Sequence, residues 1–233
     1  MALPKIDLPI FELELPSTKK KVKYRPFTVK EEKVLLVAQE AGDAEQELLA
    51  SRQVVNNCLI DVNVDELAMF DLEYILLVLR SRSVDNSVAF SVKDPDTDEV
   101  VNLELDLETV TITKNKDHTN QIRVNDDYVL FLKYPTINEF AQIVKMDPKD
   151  PLVNYFIMVS CLDKIASNDE VHHFKDYEQA DIDAFMDNMT GDVISQVQKF
   201  FTTMPKLRHD IKYKNKNGDE KTFVIEGMRS FFL

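Results

Sequence analysis

Apolar and polar residues alternate through "FELELP" (from Phe11) and "KVKYRPF" (from Lys21), with a polar turn between, which predicts a β-hairpin. Pro26 ends the strand, and Thr28 with Glu31 forms the Thr-x-x-Glu capping box that satisfies orphan amides at a helix start. Val34, Leu35, Val37, Ala38 and Ala41 follow as an apolar stripe, and Gly42 stops the helix. A second helix is expected over 43–61, carrying Leu48, Val54, Val55, Cys58 and Leu59. A third is expected over 65–82, with Leu67, Phe70, Tyr74, Leu77 and Val78. After "RSRSVDN" the period switches to two, and Val88 to Ile112 reads as a hairpin turning at Asp94, Asp96, Asp98 and Glu99.

The same order then returns. "IRVNDDYVLFLKYP" (from Ile122) is strand material, and Thr136 with Glu139 is a second capping box. Phe140, Ile143 and Val144 are expected to face inward before "MDPKDP" breaks the helix. The next helix opens with Asp150 as cap and Pro151 at its first position, and is expected to reach Ala166. It carries "CLDK" at Cys161 where the first half has "CLID" at Cys58. "EQADIDAFMDNM" and "DVISQVQKFFTTM" add helix, and a hairpin from Leu207 turns at Asn217-Gly218.

The fold class expected is α+β. Two tandem modules, 10–113 and 120–233, each pack helices on short antiparallel strands and end in a ribbon-like β-hairpin. Duplication of one module would explain the recurring phrase; two unrelated halves using the same folding signals would also produce it. The hairpins are expected to be held by cross-strand pairs such as Val92 with Leu103 and Tyr213 with Phe223.

With 28 Lys and Arg against 41 Asp and Glu, the net charge of −13 opposes a general phosphate-binding surface, so no nucleic-acid partner is expected. Lys19, Lys20, Lys21, Lys23 and Arg25 form a local basic cluster, read as a solvated strand, with an acidic partner as the sharper alternative. "MALPKIDLPIFELELP" does not read as a signal peptide, and no run approaches the ~20 apolar residues of a membrane helix, so no membrane partner is expected. Cys58 and Cys161 lie in apolar helical patterns, which fits buried thiols in a reducing cytoplasm.

Candidate chemistry is sparse. The acidic turn has oxygens at the first, third and fifth positions of a calcium loop, but Glu99 replaces the glycine at the sixth and Leu105 the bidentate acid at the twelfth. Adjacent His172 and His173 on a strand would point to opposite faces, while His118 and His209 are isolated. A metalloprotein or hydrolase built from this His and Cys set stands as the alternative function. No cofactor, catalytic residue or metal ligand is assigned. The end "EGMRSFFL" offers Met228, Phe231, Phe232 and Leu233 either to the chain's own core or to a partner.

"KYRPFTVKEEKVLLVAQE", "NNCLID", "DLEYILLVLRSRSV", "LKYPTINEF" and "GMRSFF" in this order resemble the baseplate hub and hub-assembly family of T-even-type contractile-tailed bacteriophages. The resemblance spans nearly the whole chain. It implies a non-enzymatic structural or assembly protein of the baseplate's central hub, whose partners are other hub and tail proteins, with self-association left open. It implies the host cytoplasm during assembly, and the virion tail baseplate if the protein stays. The resemblance also implies hairpin turns that in members of that family often carry Cys-x-x-Cys knuckles like zinc ribbons. Here those turns read "KDPDTDEV" and "KNKNGDEK", so zinc is not carried over.

Overall fold

The computed structural model describes residues 7–147, 149–150 and 152–227. It opens with the hairpin of β1 (Phe11–Glu14) and β2 (Lys21–Tyr24). Alternation does its expected work: Leu13, Val22 and Tyr24 are buried while Glu12, Lys21 and Lys23 face out. α1 (Val29–Ala41) begins at the Thr28–Glu31 capping box and ends at Gly42, whose φ of +66° favours glycine. α2 (Ala44–Cys58) is capped by Asp43, which accepts the Gln46 N–H at 2.9 Å. The chain leaves α2 directly into β3 (Leu59–Ile60), which pairs with β2, so this helix stops short of the expected residue 61.

α3 (Met69–Ser83) is apolar nearly all round, and Phe70, Leu72, Ile75, Leu76, Leu77 and Leu79 are buried. Asp71 is buried among them. Its carboxylate accepts the backbone N–H of Ser17 at 3.0 Å and the Ser17 hydroxyl, which ties the β1–β2 turn to α3.

β4 (Ser87–Lys93) and β5 (Val100–Asp106) form the next hairpin, and β6 (Thr111–Thr113) follows. Then come β7 (Gln121–Arg123), β8 (Val129–Leu132), α4 (Ile137–Val144) and α5 (Val153–Ser160). β9 (Leu162–Ala166), β10 (Val171–His173), α6 (Gln179–Asp187), α7 (Gly191–Thr202), β11 (Lys206–Lys214) and β12 (Glu220–Glu226) complete the order. The α+β class therefore holds, with all pairing antiparallel in small sheets ordered β1-β2-β3, β4-β5, β10-β9-β8-β7 and β12-β11-β6.

The helix expected to run to Ala166 stops at Ser160, because Leu162–Ala166 is claimed as a strand by β8. The chain divides into two compact units, 1–113 with 206–233, and 114–205. The terminal hairpin, placed by sequence at the end of the second module, joins the first unit because Leu207 pairs opposite Ile112 on β6. There Leu77, Leu107, Leu207 and Ile225 share one core with Phe90 and Phe223, whose ring centroids are 5.7 Å apart.

The hairpin registers differ from expectation. The Asp94 N–H to Glu99 carbonyl bond at 2.8 Å closes the first turn, so Phe90 rather than Val92 faces Leu103. Asn215 closes the second turn onto Asp219, so Ile211 rather than Tyr213 faces Phe223. Tyr213 instead donates its hydroxyl to the buried Asp94 at 2.9 Å, and Lys216 and Lys221 pair with Glu99 and Asp96. Burial alone would raise the Asp94 pKa, but the Tyr213 and Thr97 bonds outweigh it and hold the carboxyl low.

Candidate interaction surfaces

The basic cluster at residues 19–25 is not a uniform patch. On β2, Lys21 and Lys23 point outward, and the register sets them opposite Glu14 and Glu12. Lys19, with φ +62°, pairs with Glu14 at 3.3 Å, and Lys20 is exposed in the turn. Arg25 turns inward: its guanidinium donates to Glu31 at 2.9 Å and to the Pro26 carbonyl at 3.0 Å. Opposed glutamates damp the field this strand shows to an acidic partner. Met228, Phe231, Phe232 and Leu233 lie outside the described residues.

The His and Cys set is scattered. Cys58 and Cys161 are fully buried in different units, and burial pushes their thiols up to about 11 and about 12. His118 stacks on Phe200 with ring centroids 4.9 Å apart and lies 3.0 Å from both the Tyr134 and Thr203 hydroxyls; burial lowers its pKa. His172 belongs to a surface chain: its Nδ1 is 2.6 Å from the Tyr177 hydroxyl and its Nε2 is 3.3 Å from Glu170. Tyr128 donates to the other Glu170 oxygen, and these contacts with Tyr128 and His172 lower the Glu170 pKa. His173 is half-buried on β10, and His209 lies on β11. Among the described residues no group of three His, Cys, Asp or Glu side chains is placed to hold a metal.

What the sequence missed is an uncovered apolar face. The run Val34–Ala38 is apolar at every position, so it wraps around α1 and cannot all face one core. Ala38 is buried and Val34 and Leu35 are half-buried. Val29, Leu36 and Val37 lie on one side at 65%, 52% and 67% exposure, so Val37 does not face inward as expected, and Ala41 is exposed too. α5 repeats the situation: it buries no residue fully, and Leu152 at its cap and Phe156 are exposed. Among the described residues no helix is long and apolar enough to cross a membrane.

Small α+β units with apolar helix faces open to a neighbour are what a component of a larger assembly presents. Residues 8–233 match the model of the family described as T4 bacteriophage base plate protein, and the chain belongs to that family. No curated protein matches the chain. No solved structure matches it either.

Proposed function

We propose that this baseplate protein is a non-enzymatic structural or assembly component of the central hub, acting through contacts with other hub and tail proteins. Family membership supplies the baseplate context. The observation that carries the contact role is the exposed α1 face of Val29, Leu36 and Val37, which burial in a complex would take out of water. The end residues Met228, Phe231, Phe232 and Leu233 are proposed as a second anchor, with Lys19, Lys20, Lys21, Lys23 and Arg25 as a weaker contact.

Co-expression with the other baseplate proteins of the same phage tests this. Leu36→Asp with Val37→Asp, Phe156→Asp, and deletion of residues 229–233 are the variants. Because exposed substitutions usually change stability by less than ~0.5 kcal/mol, the two helix variants should keep the parent melting temperature. At least one variant should lose co-assembly while staying folded. Wild-type co-assembly by all three, or a turnover activity in the purified chain, would overturn the proposal.

A further inference from the structure

In the unit of residues 114–205 a cavity of about 480 Å³ is walled by the β7–β8 turn, β9, β10 and α6. Ile165, Phe174, Ile182 and Phe185 make its apolar lining. Tyr128 and Tyr177 also line it, and their hydroxyls are already engaged by Glu170 and His172, which fixes these two side chains. Among the described residues Asp181 of α6 is the one carboxylate in the lining, which also includes His172, while Asp183 is engaged by Tyr155 and Gln179 instead. Asp181 lines the cavity, is exposed, and has no ion-pair partner among the described residues.

We propose that this cavity docks a basic segment of a neighbouring baseplate protein. The segment would bury one aromatic or branched aliphatic side chain between Ile165, Ile182 and Phe185, and set a Lys or Arg against Asp181. This rests on the baseplate contact role. An apolar hollow favours an apolar anchor, and the unpaired Asp181 carboxylate in its lining favours a cationic flank over an acidic one. A second copy of this chain does not supply the occupant from its own basic cluster. There Val22 and Tyr24, the apolar neighbours of Lys21 and Lys23, are turned into their own core.

The test is a titration of the full chain, labelled at isoleucine methyls, with the peptide acetyl-Lys-Arg-Phe-Lys-amide. The Ile165 and Ile182 methyl signals should shift. Replacing the peptide's Phe by Ala should weaken binding about tenfold, as loss of a buried anchor does. Asp181→Asn in the protein should weaken it about threefold, the scale of an exposed ion pair, and added salt should do the same. Absence of shifts at those methyls, equal binding of acetyl-Glu-Glu-Phe-Glu-amide, or toluene occupying the cavity without competition from the basic peptide would each overturn the proposal. Asp181→Lys separates it from the baseplate role. A variant that loses the peptide yet co-assembles normally refutes the docking site alone. Peptide binding by a chain that never co-assembles refutes the contact role alone.

Discussion

Two places in the chain share one wiring and differ in what surrounds it. In the first, Arg25 donates its backbone N–H to the Cys58 carbonyl at 3.0 Å and its guanidinium to Glu31 at 2.9 Å. The other Glu31 oxygen accepts the Thr28 N–H at 2.8 Å. In the second, Lys133 donates its N–H to the Cys161 carbonyl at 2.7 Å and its ammonium to Glu139. The other Glu139 oxygen accepts the Thr136 N–H at 2.8 Å. Glu31, however, has a side chain 5% exposed, against 29% for Glu139. The difference teaches where a capping box becomes a commitment. In water its carboxylate has alternatives; out of water it must keep every partner it has.

Replacing these two glutamates gives the largest expected effect. Glu31→Gln removes a buried charge and leaves Arg25 half-buried without its counter-ion, at a cost of about 3 kcal/mol. Glu139→Gln should cost about 1 kcal/mol, the scale of an exposed cap and pair. Urea unfolding of both variants measures the contrast, and equal costs would break it. The pH dependence sharpens it. Burial alone would raise the Glu31 pKa, but Arg25 and Thr28 outweigh burial and hold it at about 2, against an ordinary 4.5. A depressed carboxylate stabilises the fold above pH 4.5 and loses that contribution as pH falls toward about 2. The stability gap between wild type and Glu31→Gln should therefore close across that window. A gap unchanged at pH 3 would show that the charge is not what stabilises.

Much of this wiring was legible, because capping boxes, Gly42 and the hairpin alternation are local signals. What followed each cysteine was less so. "VNYFIMVSCLDKIA" is apolar enough to continue as a helix, and only pairing of Leu162–Ala166 with β8 makes its end a strand. That partner lies some thirty residues earlier, outside any local window. The return of β11 to β6 is equally non-local, since Leu207 and Ile112 are joined by register and not by motif. The α1 face was visible in principle in the unbroken run Val34–Ala38, which is too apolar for one buried stripe. The cavity was not, since its walls come from strands and a helix that no single stretch of sequence brings together.

The cysteines test the comparison at its inner end. Both thiols should resist a disulfide reagent at pH 8 in the folded chain and react on unfolding, because burial holds them neutral. Raised pKa values mean that this stabilising contribution is complete below pH 9 and is lost as pH climbs toward about 11 for Cys58 and about 12 for Cys161. Cys161→Ala should therefore relieve more alkaline destabilisation than Cys58→Ala, while each costs about 1 kcal/mol at neutral pH for lost burial. Rapid labelling of either thiol in the native state would contradict the burial that both sites share.

Exchanging the cations reaches the smallest effect, at Lys133. The Arg25 guanidinium points one nitrogen at Glu31 and another at the Pro26 carbonyl, and its fork can hold both at once. A lysine there keeps a charge near Glu31 but gives up the second bond, so Arg25→Lys should cost about 1 kcal/mol. Lys133 makes its pair where its side chain is 39% exposed, and Lys133→Arg should change stability by less than ~0.5 kcal/mol. Double-mutant cycles with Glu31→Gln and Glu139→Gln isolate each pair from the cap that shares its carboxylate. The first pair should show a coupling energy and the second almost none. Equal couplings would mean that the fork geometry of Arg25 and the dryness of its site are incidental, and that the capping box alone sets what each site contributes.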